Sequence, residues 1–460
     1  MNDALDRALH HAREHLRNLG SAPVAPTADL ESMRHRLLMP LNEEGIPADQ
    51  VVDELVADSA GGIVGCAGGR FYAWVVGGAV PAALAADWLT SAWDQNAGLY
   101  ASGPAAAIVE EAAGAWLRDL LNIPAEASFA FVTGCNMAHA TCLAAARHRL
   151  LRDCGWDVEE RGLFGAPPIR IVTGSARHGS FLRAVRLLGF GTGSIVEIPV
   201  DDEECLRPAD LEAELAAHPG APAIVLLQAG DLNTGAYDSF AELIPVAKRH
   251  NAWVHVDGAF GLWAAATPRF RHLLSGAEKA DSWATDGHKW LNVPYDCGYA
   301  FVRDRAAHRA SMSHRESYLI HDAEARDQMD WNPEWSRRAR GFPTYAALRQ
   351  LGRSGVAALV ERCCDHARAL VLGIGSLPGA EVVWEPRINQ GLVQFRDDQT
   401  DRTIAKINAS GVAFFGGTTW RGRRCMRVSV CNWMTSEEDV HRVIEAVKAA
   451  LAEQPADGLD

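Results

Sequence analysis

Two residues within 253–298 have types and settings that can do chemistry, one an acid and one an amine. Trp253-Val254-His255-Val256-Asp257 is a short β-prone run that ends on a carboxylate and then on Gly258-Ala259-Phe260-Gly261. A carboxylate at the carboxyl end of a buried strand packs badly and is well placed for a ligand above a sheet. A second run, Asp281 to Thr285, leads into Asp286-Gly287-His288-Lys289-Trp290, so that a lysine stands among aromatic and apolar neighbours. Desolvation there favours the neutral amine, a nucleophile that condenses with carbonyl groups to a Schiff base. A carboxylate fixed nearby holds the nitrogen of a pyridine ring protonated and so makes the ring an electron sink. Singly, an Asp at a strand end and a Lys after a strand are ordinary caps or surface groups. The pair gains its meaning from the string around it.

That string contains Val256-Asp257-Gly258-Ala259, Ala280-Asp281-Ser282, His288-Lys289-Trp290-Leu291 and Tyr295-Asp296-Cys297-Gly298. It resembles the group II pyridoxal phosphate-dependent decarboxylases, the group of the aromatic amino acid, glutamate and histidine decarboxylases. The resemblance runs from about Gly69 to Val440. It implies the PLP-dependent transferase fold of type I, with pyridoxal 5'-phosphate as cofactor and an amino acid as substrate. It also implies a homodimer with shared active sites. Lys289 becomes the Schiff-base residue, Asp257 the partner of the pyridine nitrogen, and His178 a ring stacked on one face of the cofactor. Ala259 packs on the other face, where a small residue is needed because the ring lies against the backbone. The reaction implied is decarboxylation of an L-amino acid to the amine. An aminotransferase, an oxidative deaminase or aldehyde synthase, and a β-eliminating lyase on the same fold stay open, as does a catalytically idle PLP-binding protein. The protein chooses the bond to break by orienting it against the ring, and a sequence does not display that orientation.

Gly134-Cys135-Asn136 passes from a strand into a helix, and backbone amides at a helix N-terminus form a ready phosphate site. The position matches the family's phosphate turn, although Cys135 and Asn136 stand where a second Gly and a hydroxyl residue are usual. Asp286 stands where the family commonly has Asn; an ionised Asp286 repels phosphate at close range, which leaves His288 as the candidate ligand in that motif. Gln228 to Asp231 is expected to help position ligands. Phe71 and Tyr72 lie in a Gly-rich stretch that reads equally as a loop over a core and, by resemblance, as the lining of a substrate pocket. Arg427, on a strand near the end, is the candidate for a substrate carboxylate. The loop 320–332 lacks the tyrosine that many relatives use to protonate Cα; the place falls near Gln328, with Tyr318 just before the loop and His321 a substitute within it.

These residues need a scaffold, and from Ser128 onward short apolar runs alternate with helical ones. Strands are expected at 129–133, 169–173, 194–198, 223–228, 253–257 and 282–285, with helices at 137–151, 181–188, 208–217 and 240–249. Repeated βα units imply an α/β fold with a mostly parallel sheet, helices on both faces, and a site at the strands' carboxyl ends. After Arg303 the pattern turns helical through Leu377, and the tail reads as a small α/β domain. The expected division is 1–75 for N-terminal helices and linker, 76–315 for the cofactor-binding domain, and 316–460 for loop, helices and small domain. Leu5, Leu9, Ala12, Leu16 and Leu19 make one apolar stripe on a first helix, suited to docking on another subunit or on its own body.

Composition narrows the class. A formal net charge of −14 with scattered Lys and Arg excludes nucleic acid and anionic membrane as expected partners. Ten cysteines without CxxC pairs or finger spacing read as reduced thiols with no metal site, and no secretory segment is visible, so the expected location is cytoplasmic. The longest apolar run, Phe71 to Ala86, is broken by Gly77, Gly78 and Pro81 and is too short to span a bilayer, which takes about 20 residues.

Overall fold

Ala223-Ile224-Val225-Leu226-Leu227 and Ser128-Phe129-Ala130-Phe131-Val132 are apolar almost throughout, as befits strands covered on both faces. The computed structural model describes residues 2–452 apart from 315, 317, 318, 320–323, 397 and 398. It places these runs in one sheet made of β1 (Ser128–Val132), β2 (Arg170–Thr173), β3 (Ile195–Glu197), β4 (Ala223–Gln228), β5 (Trp253–Asp257), β6 (Ser282–Asp286) and β7 (Gly298–Val302). Their spatial order is β1-β7-β6-β5-β4-β2-β3. From β6 to β3 each neighbouring pair is parallel, while β7 is antiparallel to both β6 and β1. The carboxyl ends of β1, β2, β4, β5 and β6 therefore lie along one rim, which is the place the βα pattern predicts for a site.

The sequence reading passed over β7. The segment between β6 and β7 is too short for a helical crossover, which takes a dozen or more residues, so β7 has to return antiparallel. Its glycine matters: in register, Gly298 lies between Val132 of β1 and Asp286 of β6. A Cβ on Gly298 would come within 2.5 Å of the Gly134 Cα. The absence of a side chain there lets the turn after β1 sit directly over β7.

Helix Cys135–Asp153 follows that turn and buries most of its length, from Ala138 and His139 to Leu150 and Leu151. Its alanines, packed with Val132, Ile171, Ile224 and Phe181, make the helix–sheet core. Full burial of each large apolar side chain in such a layer contributes about 1.5–3 kcal/mol, and this core fixes the rim on which the site stands.

The chain divides into two compact units: residues 1–78, 366–385 and 391–460 in one, 79–365 and 386–390 in the other. This differs from the expected three-part division. The N-terminal segment joins the C-terminal segments, and most of 316–365 belongs with the large sheet. A second sheet, of order β10-β11-β9-β8, is formed by β8 (Ala380–Trp384), β9 (Gln390–Phe395), β10 (Gly416–Trp420) and β11 (Arg423–Ser429). Arg70, 1% exposed, ties the first unit together: its guanidinium donates to Ala22 O (2.9 Å), Gly20 O (3.1 Å) and Val412 O. No helix among the described residues is long and apolar enough to cross a membrane.

Candidate active site

Asp257 ends β5 and is 6% exposed. Its Oδ1 accepts from Ala259 N (3.1 Å), and its Oδ2 lies 3.5 Å from His139 Nε2. Burial alone would raise the carboxyl's pKa; His139, His178 and Lys289 outweigh it and hold the pKa below the usual carboxylate range. The group is an ionised, oriented acceptor, which is what the sequence reading requires of it.

Lys289 follows β6 by three residues, and here one expectation is corrected. Burial does work to lower its pKa, but the Asp286 carboxylate stands 3.0 Å from Nζ and, with Cys135 and Asp257, raises it above the ordinary lysine value. The amine is thus an ammonium paired with Asp286, not the neutral group that apolar neighbours alone would produce. Asp286, 2% exposed, also takes the first free amide of helix Cys135–Asp153, with Cys135 N–H donating to its Oδ1 at 2.6 Å. The residue that the sequence marks as a poor phosphate ligand is the internal anion of the turn after β1.

The remaining expected residues gather on the same rim. Gly134 is extended (φ 163°) and precedes the helix; a Cβ there would meet His288 Cε1 at 3.1 Å. The amides of Asn136 and Met137 follow Cys135 in the first helical turn, where N–H groups have no acceptor within the helix. His288 accepts from Cys297 N–H at Nδ1 (3.2 Å), so its Nε2 carries the proton and faces Asp286 Oδ1 at 3.6 Å. Its ring stacks on Tyr295 with centroids 4.3 Å apart, and burial lowers its pKa. His178 caps helix Gly179–Leu187, accepting from Ser180 N–H at Nδ1 (3.2 Å). Its ring is open to solvent on one side, yet the protein packed around it lowers its pKa, against the pull of Asp257. Ala259 is half-buried and bridges the strand ends, its N–H on Asp257 and its carbonyl accepting from Asp286 N–H (3.0 Å).

The other expected residues make local contacts. Asp231 builds its own turn, accepting from Asn233 N–H and Thr234 N–H, both at 2.8 Å. Phe71 and Tyr72 are buried in the first unit, stacked on Phe414 (5.2 Å) and Phe415 (5.1 Å). Arg427 is buried on β11, opposite Gly416. Gln328 is fully buried and donates to Ala107 O (3.2 Å), so it does not occupy the tip of a loop. Tyr318 and His321 lie outside the described residues.

Sequence reasoning missed His139. It is fully buried, and with Cys135 and Asp257 it brings one donor atom each within 4.8 Å of the others. A lone histidine on an Ala-rich helix gives no sign of this; only the turn that the helix opens with hints at it.

The rim suits pyridoxal phosphate. An ionised Asp257 can keep a ring nitrogen protonated, Ala259 leaves room beside it, free first-turn amides can take phosphate, and Lys289 supplies the amine. Comparison with known proteins agrees. A family model described as the pyridoxal-dependent decarboxylase conserved domain matches residues 38–397. L-2,4-diaminobutyrate decarboxylase of Rhizobium meliloti (strain 1021) is 29% identical over 384 residues, covering 80% of this chain and 75% of that protein. Tryptophan decarboxylase 1 of Oryza sativa subsp. japonica is 29% identical over 489 aligned residues, with 98% and 93% covered. The crystal structure of Oryza sativa TDC with PLP and tryptamine matches at a TM-score of 0.91 and 26% identity, covering 98% of this chain and 97% of that one. With its site built at the carboxyl ends of a type I sheet and its match running from residue 38 to residue 397, the chain belongs to the pyridoxal-dependent decarboxylase family.

Proposed function

We propose that the chain works as a cytoplasmic homodimer that removes CO2 from an L-amino acid, with Lys289 as the Schiff-base residue and Asp257 as the ring-nitrogen partner. The observation that carries this is the convergence of an ionised, buried Asp257 and the Lys289 amine at the ends of neighbouring strands. Pyridoxal phosphate, when bound, supplies the electron sink that weakens the bonds to Cα. The chain's own residues do the rest. Asp257 would keep the proton on the ring nitrogen, His178 and Ala259 would stand against the ring, and Asn136, Met137 and His288 would hold the phosphate. Arg427 is our candidate for a substrate carboxylate, since a guanidinium keeps its charge when buried.

The described part of the 320–332 loop favours a second product beside the amine. Its acids are engaged: Asp327 accepts from Tyr100 N–H (2.9 Å), and Asp330 accepts from Arg309 (2.7 Å) and Ser313 (2.6 Å). Where delivery of a proton to Cα is slow, dioxygen as oxidant would give aldehyde and ammonia, and transamination to the cofactor would give aldehyde with pyridoxamine phosphate, so some of either is expected beside the amine. The test is a panel of L-amino acids assayed for CO2, amine, ammonia and keto acid together. CO2 release with one or more substrates supports decarboxylation. Keto acid formed without CO2 supports an aminotransferase and overturns it.

A further inference from the structure

Behind Asp257 runs a chain of buried polar side chains with a fixed direction. His139 Nε2 faces Asp257 Oδ2 at 3.5 Å, and His139 Nδ1 lies 2.9 Å from His255 Nε2. His255 Nδ1 in turn lies 2.9 Å from Ser282 Oγ, which accepts from Trp253 Nε1–H at 2.9 Å. Both histidines and Ser282 are fully buried, so each polar atom has to find its partner within the chain. The two ends admit one role each: an ionised carboxylate only accepts, and an indole N–H only donates.

These ends restrict the protons in between. If both imidazoles are neutral, Ser282 donates to His255, His255 donates to His139, and His139 Nε2–H points at Asp257. If His255 is turned to the other tautomer, His139 must donate at both nitrogens and is then an imidazolium. A His139 with a bare Nε2 would set a lone pair against the Asp257 carboxylate, in a place where water cannot intervene. Cys135 Sγ lies 3.4 Å from the same Nε2 and its thiol could donate there, but that would leave the Asp257 carboxylate without this donor; the ionised carboxylate favours the arrangement with the proton on His139 Nε2.

We infer that His139 is a positioning residue for this reaction: its Nε2–H fixes the ionised Asp257 carboxylate, and His255, Ser282 and Trp253 hold that bond in one direction. With Ala259 N–H on Oδ1 and His139 on Oδ2, the carboxylate cannot swing, and its remaining lone pairs stay turned toward the site. The inference rests on the reading that Asp257 meets the ring nitrogen of the cofactor. It assigns a role to a residue whose side chain stands behind Asp257 rather than in the reacting layer.

Three variants of the full-length enzyme test it, His139→Leu, His139→Gln and Asp257→Asn. His139→Leu removes the donor at similar bulk; it is expected to lower kcat about 10- to 100-fold and to speed cofactor loss, the range seen when the outer partner of a functional ligand is removed. KM should change little. His139→Gln places an amide N–H near the position of Nε2 and is expected to recover most of that loss. In cofactor-free protein, nitrogen NMR of labelled histidine should show His139 protonated at Nε2. A bare Nε2 there, or wild-type kcat and cofactor retention in a folded His139→Leu protein, overturns the inference. So does an equal loss in the Leu and Gln variants accompanied by an equal fall in melting temperature, which marks His139 as packing alone. Asp257→Asn separates the two levels: if it keeps normal kcat, the ring-nitrogen reading fails, whereas a large loss there with none in His139→Leu sinks only the role of His139.

Discussion

Lys289 shows how one neighbour changes the chemistry of a site. A lysine among apolar residues is expected to be neutral, and burial does push in that direction, yet Asp286 at 3.0 Å holds it as the ammonium. The sign of the pH dependence follows. A lysine with a raised pKa contributes its ion pair to the cofactor-free fold at every pH below the ordinary lysine value and loses it as pH climbs through the raised value. Free amine, the form that condenses with an aldehyde, appears only over that same climb. Asp286→Asn removes the counter-charge and is expected to shift the pH profile of Schiff-base formation with added pyridoxal phosphate toward acid. Stopped-flow absorbance reads this directly; an unchanged profile would show that Asp286 does not control the lysine. The two residues proposed to act, Lys289 and Asp257, were legible because their surroundings are contiguous strings. The Lys289–Asp286 pair was three residues away in plain sight, but the direction of the Asp286 side chain belongs to the turn after β6. His139 was illegible for another reason: it reaches its partner His255 across 116 residues of chain.

At the scale of elements, the alternation of short apolar runs with helices carried the sheet, its mostly parallel sense and the rim of the site. It failed where periodicity is uninformative. Gly298–Val302 is five buried residues directly after a motif, and no helix separates it from β6 to announce another strand. Its first residue is closely constrained, because Gly298 faces the Gly134 backbone in the turn after β1. Gly298→Ala puts a methyl group 2.5 Å from the Gly134 Cα, closer than any packed contact allows. The expected cost is about 1–3 kcal/mol of stability from overpacking, together with weaker cofactor retention as the turn is displaced. Thermal denaturation and the dissociation rate of the cofactor measure the two effects. Wild-type values for both would mean that the turn and β7 are less closely apposed than described.

At the scale of the whole molecule, the division into two units was not readable from composition. The ties that draw residues 1–78 to the C-terminal segments are long-range; Arg70 reaches Val412 across 342 residues of chain. The apolar stripe of the first helix was legible, and part of it stays uncovered: Leu5 is 62% exposed, as are Leu38 at 74% and Leu41 at 99% beyond the next helix. Leaving such side chains in water forgoes roughly 1.5–3 kcal/mol each, which favours a second copy as their cover. The proposed homodimer is expected to persist at submicromolar concentration in sedimentation analysis. Leu38→Glu with Leu41→Glu should shift it toward monomer, with loss of activity in parallel, as the proposed sharing of sites requires. A wild-type monomer with full activity would remove the proposal.

The central claim is that Lys289 is the residue to which the cofactor is joined. Borohydride reduction of the purified enzyme loaded with pyridoxal phosphate, followed by peptide mapping by mass spectrometry, tests it in one step. A single phosphopyridoxyl modification is expected, on Lys289 in the peptide that contains Asp286-Gly287-His288-Lys289-Trp290, and none at this position in Lys289→Ala. A reduced cofactor fixed to any other lysine, or an unmodified Lys289 in enzyme that was yellow and active before reduction, would contradict it.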